Sequence, residues 1–220
     1  MNEIAKRAAA REALEYVSNT AVLGVGSGTT VNEFIDLLAR HDVKPPAAVA
    51  ASAESARRLA DAGVTVMPLE EVQGPLEVYI DSADEVEATG RMIKGGGGAH
   101  TREKRIAKAS RLFVCIVDES KVVEAVGDFP VPLEVERAAL SDVAPIIAEL
   151  GGTPELRDGF VTDENNPIVD ISGLDLSDPV ALEEILEALP GVVGSGVFGV
   201  RTADHVIVGA EDGSVRRLLG

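Results

Sequence analysis

The sequence is poor in aromatic residues, cysteine and long apolar runs. Tryptophan is absent and aromatic residues make up only 3%, so the core must consist of Val, Ile, Leu and Ala, and no aromatic platform for bases or sugar rings stands out. The one cysteine, Cys115, can form no intrachain disulfide, and its apolar setting predicts an inert thiol on a buried strand. No apolar run approaches membrane-spanning length, and the N-terminus lacks a signal-peptide pattern. We therefore expect a cytoplasmic protein with no membrane partner.

Basic residues are also scarce, since 37 acidic residues face 20 basic ones and the formal net charge is −17. A nucleic-acid partner is not expected, because a polyanion would be repelled. Only six of the basic residues are lysines, and this acid-rich, lysine-poor composition suggests a halophilic protein, although an ordinary acidic protein is the alternative. Lys6 and Arg7 lie off the apolar face of a helix predicted over residues 2–17. They are interpreted as solvated charges, although one of them could reach a nearby anion.

The most informative stretch is K-G-G-G-G-A-H-T-R-E-K, from Lys94 to Lys104. Four consecutive glycines cannot serve packing, because they carry no side chains and lose much conformational entropy on ordering. The usual need for bare backbone is close approach of a ligand, with amide N–H groups turned toward an anion. Glu103 falls in the first turn of the helix that follows. A carboxylate, an ammonium and a glycine loop predict a site for an anionic substrate and proton transfer, and a flexible surface loop is the alternative.

A second glycine-containing loop, Gly26–Thr30, connects a predicted strand at 21–25 with a helical pattern at 31–38. This is the layout of a phosphate site, because N–H groups and hydroxyls converge at the helix N-terminus. Val31 breaks the dinucleotide pattern G-x-G-x-x-G, and no lysine follows as in a P-loop, so neither a dinucleotide nor ATP is predicted. Taken alone, the loop could equally be a tight turn with a threonine cap.

Strands and helices alternate through the first part of the chain, which predicts an α/β fold with a doubly wound, mostly parallel Rossmann-like sheet. In such sheets ligands bind beyond the carboxyl ends of the strands. Gly26–Thr30, Asp81–Glu85 and Asp118–Lys121 each follow a predicted strand, and the glycine run lies on the same side. We therefore expect these four loops to meet at one edge of the sheet.

The pattern of predicted strands and helices changes after residue 128, where a second, smaller α+β (ferredoxin-like) domain with an antiparallel sheet is predicted. Its predicted elements are strands at 131–135, a strand pair at 154–161, strands at 167–171 and 192–200, and helices at 143–150 and 179–189. A strand at 205–209 is predicted to rejoin the first sheet, which makes the second domain an insertion. The predicted domains are residues 1–128 plus 203–220 for catalysis and residues 129–202 for the insertion.

Together, the motifs resemble those of the ribose-5-phosphate isomerase A family, over nearly the whole chain. The motifs are G-S-G-T-T at Gly26–Thr30, D-S-A-D-E at Asp81–Glu85, K-G-G-G-G-A at Lys94–Ala99, T-R-E-K at Thr101–Lys104, D-E-S-K at Asp118–Lys121 and T-D-E-N-N-P-I-V-D at Thr162–Asp170. The glycine run followed by T-R-E-K is highly specific. The resemblance implies interconversion of D-ribose 5-phosphate and D-ribulose 5-phosphate without a metal or organic cofactor, by a homodimer or homotetramer whose small-molecule partner is a sugar phosphate.

The resemblance also implies residue roles. Glu103 is expected to be the base that moves a proton between C2 and C1, while Asp81, Asp84 and Lys94 serve ring opening and the enediolate charge. Which aspartate has which role stays open. The residues implied in substrate binding are Ser27, Gly28, Thr29, Thr30, Asp81, Ser82, Ala83, Asp84, Lys94, Gly95, Gly96, Gly97 and Lys121.

Three residues depart from the family pattern: Ser82 and Asn165 stand where glycine is expected, and His100 where an apolar residue is expected. Asn165 can keep a left-handed turn, and His100 is interpreted as a structural neighbour because Glu103 keeps its family position. Two other functions remain as alternatives. A sugar-phosphate sensor would keep the Gly26–Thr30 loop without needing Glu103, and a transferase with a glutamate nucleophile would need a larger acyl-carrier pocket.

Overall fold

The computed structural model describes residues 2–17, 21–42 and 44–220. Its α-helices are α1 (Glu3–Glu12), α2 (Thr29–Leu38), α3 (Ala53–Asp61), α4 (His100–Lys108), α5 (Leu140–Glu149) and α6 (Pro179–Glu187). Its strands are β1 (Val22–Val25), β2 (Ala47–Ala50), β3 (Thr65–Val66), β4 (Leu76–Asp81), β5 (Glu85–Val86), β6 (Met92–Ile93), β7 (Ser110–Asp118), β8 (Val131–Val135), β9 (Thr153–Leu156), β10 (Ile168–Ser172), β11 (Val192–Ser195), β12 (Val197–Phe198), β13 (His205–Gly209) and β14 (Val215–Leu219).

The central sheet has seven strands in the order β14-β13-β7-β4-β1-β2-β3. Neighbouring strands run parallel, except that β14 is antiparallel to β13. Apolar side chains from α1, α2 and α3 cover one face, and those from α4 and β12 cover the other. This arrangement confirms the predicted doubly wound, mostly parallel sheet, including the return of residues 205–209 beside β7.

The chain between β8 and β11 forms a separate four-stranded antiparallel sheet in the order β11-β8-β10-β9. Along the sequence its elements follow as β8-α5-β9-β10-α6-β11, which is the ferredoxin-like order. Buried side chains of this sheet, α5 and α6 form their own apolar cluster. The smaller α+β unit is therefore present as predicted, and the boundaries at residues 128 and 203 stay a prediction.

Two local predictions in this part of the chain are wrong. The strand pair predicted at 154–161 does not form, because β9 pairs with β10, and Gly159 and Asn165 turn the intervening chain with φ of 64° and 65°. In place of the single strand predicted at 192–200, the structure has two strands, β11 and β12, which belong to different sheets. The break falls at Gly196, where a Cβ atom would lie 2.3 Å from the carbonyl oxygen of Lys94, so only glycine lets the two segments approach this closely.

The helix starts show where the backbone is left available for a ligand. Side chains of Asn2, Ser52 and Asp178 accept hydrogen bonds from the first turns of α1, α3 and α6. By contrast, α2 and α4 follow the two glycine loops, and their cap residues Gly28 and Ala99 make no side-chain cap hydrogen bond. The N–H groups at these two helix starts are therefore not occupied by a capping side chain.

In the part of the chain that is described, no helix combines the length and apolar character needed to cross a membrane.

Candidate active site

The predicted loops meet at the carboxyl edge of the central sheet, where β1, β4 and β7 end side by side. The Gly26 amide donates to the carbonyl oxygen of Ile80 at 2.9 Å, and the Ser27 amide donates to Asp81 Oδ1 at 3.0 Å. A Cβ atom on Gly26 would lie 1.8 Å from Asp81 Oδ1, so a side chain is excluded there. The first glycine loop is thus pressed directly against the acidic loop.

Lys94 lies at the centre of a buried charge cluster. The short strand β6 pairs with β12, and the Lys94 amide donates to the Gly196 carbonyl at 2.9 Å, which fixes the backbone before the glycine run. Its Nζ atom lies 2.7 Å from Asp81 Oδ2 and 3.1 Å from Glu103 Oε2. It also donates to the carbonyl oxygen of Ser82. Burial disfavours the ammonium, but the two carboxylates outweigh burial and raise the pKa of Lys94, which keeps it charged.

Glu103 lies in the first turn of α4, as predicted, and is 3% exposed. Its Oε1 atom accepts a hydrogen bond of 2.6 Å from Ser27 Oγ, and its Oε2 atom faces Lys94. Burial and the nearby Asp81 charge raise its pKa to about 7, while Lys94 and Ser27 act in the opposite direction. A carboxylate with a pKa near neutrality can both take up and release a proton at physiological pH.

The two aspartates of the acidic loop have different surroundings. Asp81 is fully buried and accepts hydrogen bonds from the Tyr79 hydroxyl and from the amides of Ser27 and Ser82, in addition to its ion pair with Lys94. Asp84 is half-buried, and its Oδ2 atom accepts one hydrogen bond of 2.8 Å from the Gly96 amide. Only Asp84 of this pair lines an open cleft. Asp81 is therefore enclosed, whereas Asp84 is accessible to a ligand.

The glycine run approaches protein atoms more closely than the sequence alone suggests. Cβ atoms at Gly95, Gly96 and Gly98 would lie 2.6 Å from His100 Nδ1, 2.8 Å from Asp84 Oδ1 and 2.3 Å from Phe160 Cζ. At Gly97 the nearest such atom is Ser27 Oγ at 4.0 Å, and this residue borders a cleft. Bare backbone is thus needed mainly for packing against these side chains, and Gly97 is the member of the run with room for a ligand.

Two adjacent clefts open beside the charge cluster and share Gly28 and Thr29. We name the first, of about 480 Å³, the lysine cleft. It is lined by Asn2, Lys6, Gly28, Thr29, Thr30, Ser82, Ala83, Asp84, Asp118, Glu119, Ser120, Lys121 and Glu211. The second, of about 350 Å³, is the glycine cleft, between the start of α2, the start of α3, Gly97, Gly98 and residues 160–164. Seven predicted binding residues from three loops line the lysine cleft, namely Gly28, Thr29, Thr30, Ser82, Ala83, Asp84 and Lys121, whereas Ser27 lines the glycine cleft and Asp81 lines neither.

Lys6 is a functional candidate that the sequence interpretation placed in solvent, and that interpretation is wrong. Its side chain is 7% exposed, and Nζ donates to Thr29 Oγ1 at 2.6 Å, at the uncapped start of α2.

Tyr79 was also missed by the sequence analysis. Its position two residues before Asp81 on β4 places both side chains on one face of the strand, which is a signal that the sequence does contain.

Lys104 and His100, in and beside the T-R-E-K motif, contact other parts of the protein rather than the candidate site. Lys104 points away from the site into a buried cluster, where Nζ lies 2.8 Å from Glu183 and 2.6 Å from Glu187 on α6. His100 is fully buried and its Nε2 atom donates to the Gly194 carbonyl. Burial lowers the pKa of His100 to about 3, so the ring is neutral and serves packing.

Within residues 2–17, 21–42 and 44–220, no group of three or more His, Cys, Asp or Glu side chains is arranged to hold a metal ion.

Comparison with known proteins identifies the family. The sequence model of ribose 5-phosphate isomerase A (phosphoriboisomerase A) matches residues 47–213. The chain belongs to this family. A ribose-5-phosphate isomerase A of Legionella pneumophila (strain Paris) is 50% identical over 97% of this chain and 98% of its own length. The crystal structure of ribose 5-phosphate isomerase A from Neisseria gonorrhoeae is 43% identical, with a TM-score of 0.93 over 98% of this chain and 96% of that one.

A third relative of the family was solved with a bound ligand. This D-ribose-5-phosphate isomerase, in complex with phospho-erythronic acid, is 32% identical, with a TM-score of 0.91 over 98% of this chain and 97% of its own. The departures from the family pattern are accommodated here. Ser82 Oγ donates to the carbonyl oxygen of Ser27 at 3.1 Å, and Asn165 adopts the left-handed φ that was expected of it.

Proposed function

We propose that this chain interconverts D-ribose 5-phosphate and D-ribulose 5-phosphate, a reaction of pentose phosphate metabolism. Membership of the ribose 5-phosphate isomerase A family supports the reaction class. The observation that carries the mechanism is the buried Glu103, with a pKa of about 7, held between Ser27 and Lys94. Isomerisation of an aldose needs a base, a group that stabilises the developing oxyanion and a grip on the phosphate, and the site offers candidates for all three.

In the proposed reaction Glu103 takes the proton from C2 of the open-chain aldose. The C–H electrons form the C1–C2 double bond, and the carbonyl electrons move to O1, which gives an enediolate. The Lys94 ammonium stabilises this negative charge in a site that excludes water. Glu103 then returns its proton to C1, and the O2 proton passes to O1, which leaves the ketone at C2. No oxidant, metal or organic cofactor enters this scheme, so we propose none.

The surroundings of the two aspartates support separate roles. Asp81 makes its contacts entirely within the protein, so we assign it to holding the Lys94 ammonium beside Glu103. Asp84 lines the lysine cleft and is bound on one oxygen by the Gly96 amide, so we assign it to moving the proton that opens the furanose ring. Of the other predicted binding residues, Ser27, Gly28, Ser82, Ala83 and Gly97 border the two clefts and would surround the sugar. Gly95 and Gly96 pack against His100 and Asp84 instead.

We place the substrate phosphate in the lysine cleft. Lys6 and Lys121 supply positive charge there, and Thr29 and Thr30 lie at the uncapped N-terminus of α2, where backbone N–H groups favour an anion. The relative solved with phospho-erythronic acid carries a ligand that, like the proposed substrate, is phosphorylated. The sugar would extend from this phosphate past Gly28 and Asp84 toward Glu103.

Replacing Lys6 or Lys121 by alanine is expected to raise KM about tenfold and to change kcat less, because each loses a charge-assisted hydrogen bond to the phosphate. Steady-state kinetics and competition by inorganic phosphate measure this effect. Lys44→Ala is the matched control, since Lys44 Nζ donates to the Ala62 carbonyl outside both clefts. An unchanged KM in both cleft variants would remove the phosphate from this position.

The rate is expected to depend on the ionisation of Glu103. Only the carboxylate can act as base, and its pKa is raised to about 7, so kcat/KM should fall about tenfold per pH unit below pH 7. Because the substrate phosphate itself titrates at about pH 6, the pH dependence of phospho-erythronic acid binding serves as the control. A kcat/KM that stays constant down to pH 5 would contradict the raised pKa.

The direct test is an isomerase assay with ribose 5-phosphate, in the presence of EDTA, at low and at molar KCl. Formation of the ketose with EDTA present is the expected result, and a rate or melting temperature that rises with KCl would support the proposed adaptation to salt. Tight binding of the sugar phosphate without turnover would instead favour a sensor. We also propose that the protein is cytoplasmic and that it forms a homodimer or homotetramer. Sedimentation of the purified protein would test the oligomeric state.

A further inference from the structure

Arg157, in the smaller α+β unit, reaches across to the glycine run of the candidate site. It follows β9 directly, and its Nη1 atom donates to the carbonyl oxygens of Gly95 at 3.1 Å and Gly96 at 3.2 Å. Its Nε and Nη2 atoms form a two-pronged ion pair with Asp170 on β10, at 2.8 and 2.5 Å. The Arg157 side chain is 17% exposed, so its contacts with Gly95 and Asp170 are partly buried, whereas its contact with Gly96 is exposed.

The first of these contacts continues to Asp84 through a single peptide group. The carbonyl oxygen of Gly95 and the N–H of Gly96 belong to the same planar unit. Arg157 binds the oxygen of that unit, and the N–H donates to Asp84 Oδ2 at 2.8 Å. A cation at the oxygen polarises the peptide and strengthens its N–H as a donor, because hydrogen bonds in a chain reinforce one another.

Two donors hold the carbonyl oxygen of Gly95, one within the glycine run and one from Arg157. Gly95 and Gly98 have positive φ values of 104° and 77°, and the Gly98 amide donates to the Gly95 carbonyl at 2.9 Å in a tight turn. A side chain at Gly96 would collide with Asp84, so glycine is needed although it makes the segment easier to reorient. Phe160, whose ring lies 5.3 Å from the Arg157 guanidinium, closes over Gly98. Arg157 is therefore the donor from outside the run that acts on the Gly95 carbonyl beside the turn hydrogen bond.

We infer that Arg157, held by Asp170, is a positioning residue that orients the Gly95–Gly96 peptide and through it the Asp84 carboxylate. This inference rests on the proposed function in so far as Asp84 acts on substrate. It makes the smaller α+β unit a contributor to catalysis, although neither Arg157 nor Asp170 lines the lysine cleft.

The test is a double-mutant cycle between Arg157→Gln and Asp84→Asn, with Arg111→Gln as the control. Arg111 is an exposed arginine paired with Glu77, outside both clefts. We expect Arg157→Gln to lower kcat about tenfold with KM changed less than about twofold, because the phosphate contacts are intact. In the Asp84→Asn background the same substitution should lower kcat less than about twofold. Arg157→Lys keeps the charge without the fork and should recover part of the loss.

A second readout does not depend on turnover. In the ¹H–¹⁵N spectrum of the whole protein, the Gly96 amide proton should shift upfield in Arg157→Gln and remain in place in Arg111→Gln. Should Arg157→Gln not fold, Asp170→Asn is used instead, and a smaller loss of kcat and a smaller Gly96 shift are expected.

Equal losses of kcat in both backgrounds, or an unmoved Gly96 amide, would overturn the inference, since a merely structural tie would act independently of Asp84. A fully active Asp84→Asn protein would instead overturn the proposed ring-opening role. In that case the Gly96 resonance alone decides whether Arg157 orients the peptide.

Discussion

Replacing Glu103 by glutamine is expected to lower kcat by about two to four orders of magnitude, the range for loss of a general base. Glutamine has nearly the same shape and can still contact Ser27, but it cannot take up the C2 proton. The substitution removes a carboxylate whose ionisation is disfavoured by burial, so the fold should survive. Steady-state kinetics and circular dichroism measure both effects.

The fate of the C2 hydrogen gives a second measurement on the same variant. With C2-deuterated ribose 5-phosphate, the wild-type protein should carry deuterium from C2 to C1 of the ketose, and Glu103→Gln should remove it from C2 as slowly as it turns over. Glu77→Gln is the matched control, because Glu77 lies at the amino end of β4, outside both clefts. A fully active Glu103→Gln protein would exclude Glu103 as the base.

Replacing Lys94 by alanine is expected to have an effect of similar size on activity and to destabilise the fold as well. Removal of an oxyanion-stabilising group costs about 10²–10³ in kcat. It also leaves Asp81 and Glu103 buried without their cation, and breaking a buried pair costs about 3–5 kcal/mol of unfolding free energy. The loss of positive charge should raise the pKa of Glu103 further. The pH below which kcat/KM falls should therefore be higher in this variant than in the wild-type protein. Kinetics and thermal unfolding check these three effects.

The double variant Lys94→Ala with Asp81→Asn separates the stability effect from the catalytic one. It removes one of the two carboxylates that are left buried without a cation, so part of the stability should return, whereas activity should not. Added methylammonium should partly restore turnover of Lys94→Ala if the missing group is a cation. A Lys94→Ala protein with normal kcat and normal stability would contradict both of its proposed roles.

The main features of the fold and much of the site were predictable, because they depend on local pattern. The alternation of apolar strands with helices predicted the parallel sheet, and parallel strands place their carboxyl ends on one edge. Glu103 was predicted in a first turn from the residues around it, and it lies there. The split between β11 and β12 was missed, since the apolar pattern of residues 192–200 does not reveal that Gly196 must pass close to Lys94.

Residues whose roles depend on distant partners were not predictable in the same way. Lys6 was interpreted as solvated because its helix shows an apolar face elsewhere, yet Thr29 lies beside it in the fold. Arg157 carries no motif, and its contact with Gly95 joins residues 62 positions apart in the chain. The residue pattern of one helix or strand says little about such pairs, because the whole fold decides which other element lies against it.

The sequence by itself determined the family and the alternation of strands and helices in the central sheet, since these follow from motifs and local periodicity. That Glu103 transfers the proton stays a prediction. Tertiary structure alone decided the electrostatics. Ser27 and Glu103 are 76 positions apart, and Ser27 and Asp81 are 54 apart, yet they share one buried cluster. Burial and the Asp81 charge raise the pKa of Glu103 to about 7, and carboxylate oxygens at 2.7 and 3.1 Å keep Lys94 charged. Coulomb and desolvation energies depend on separation and solvent access rather than on position in the chain.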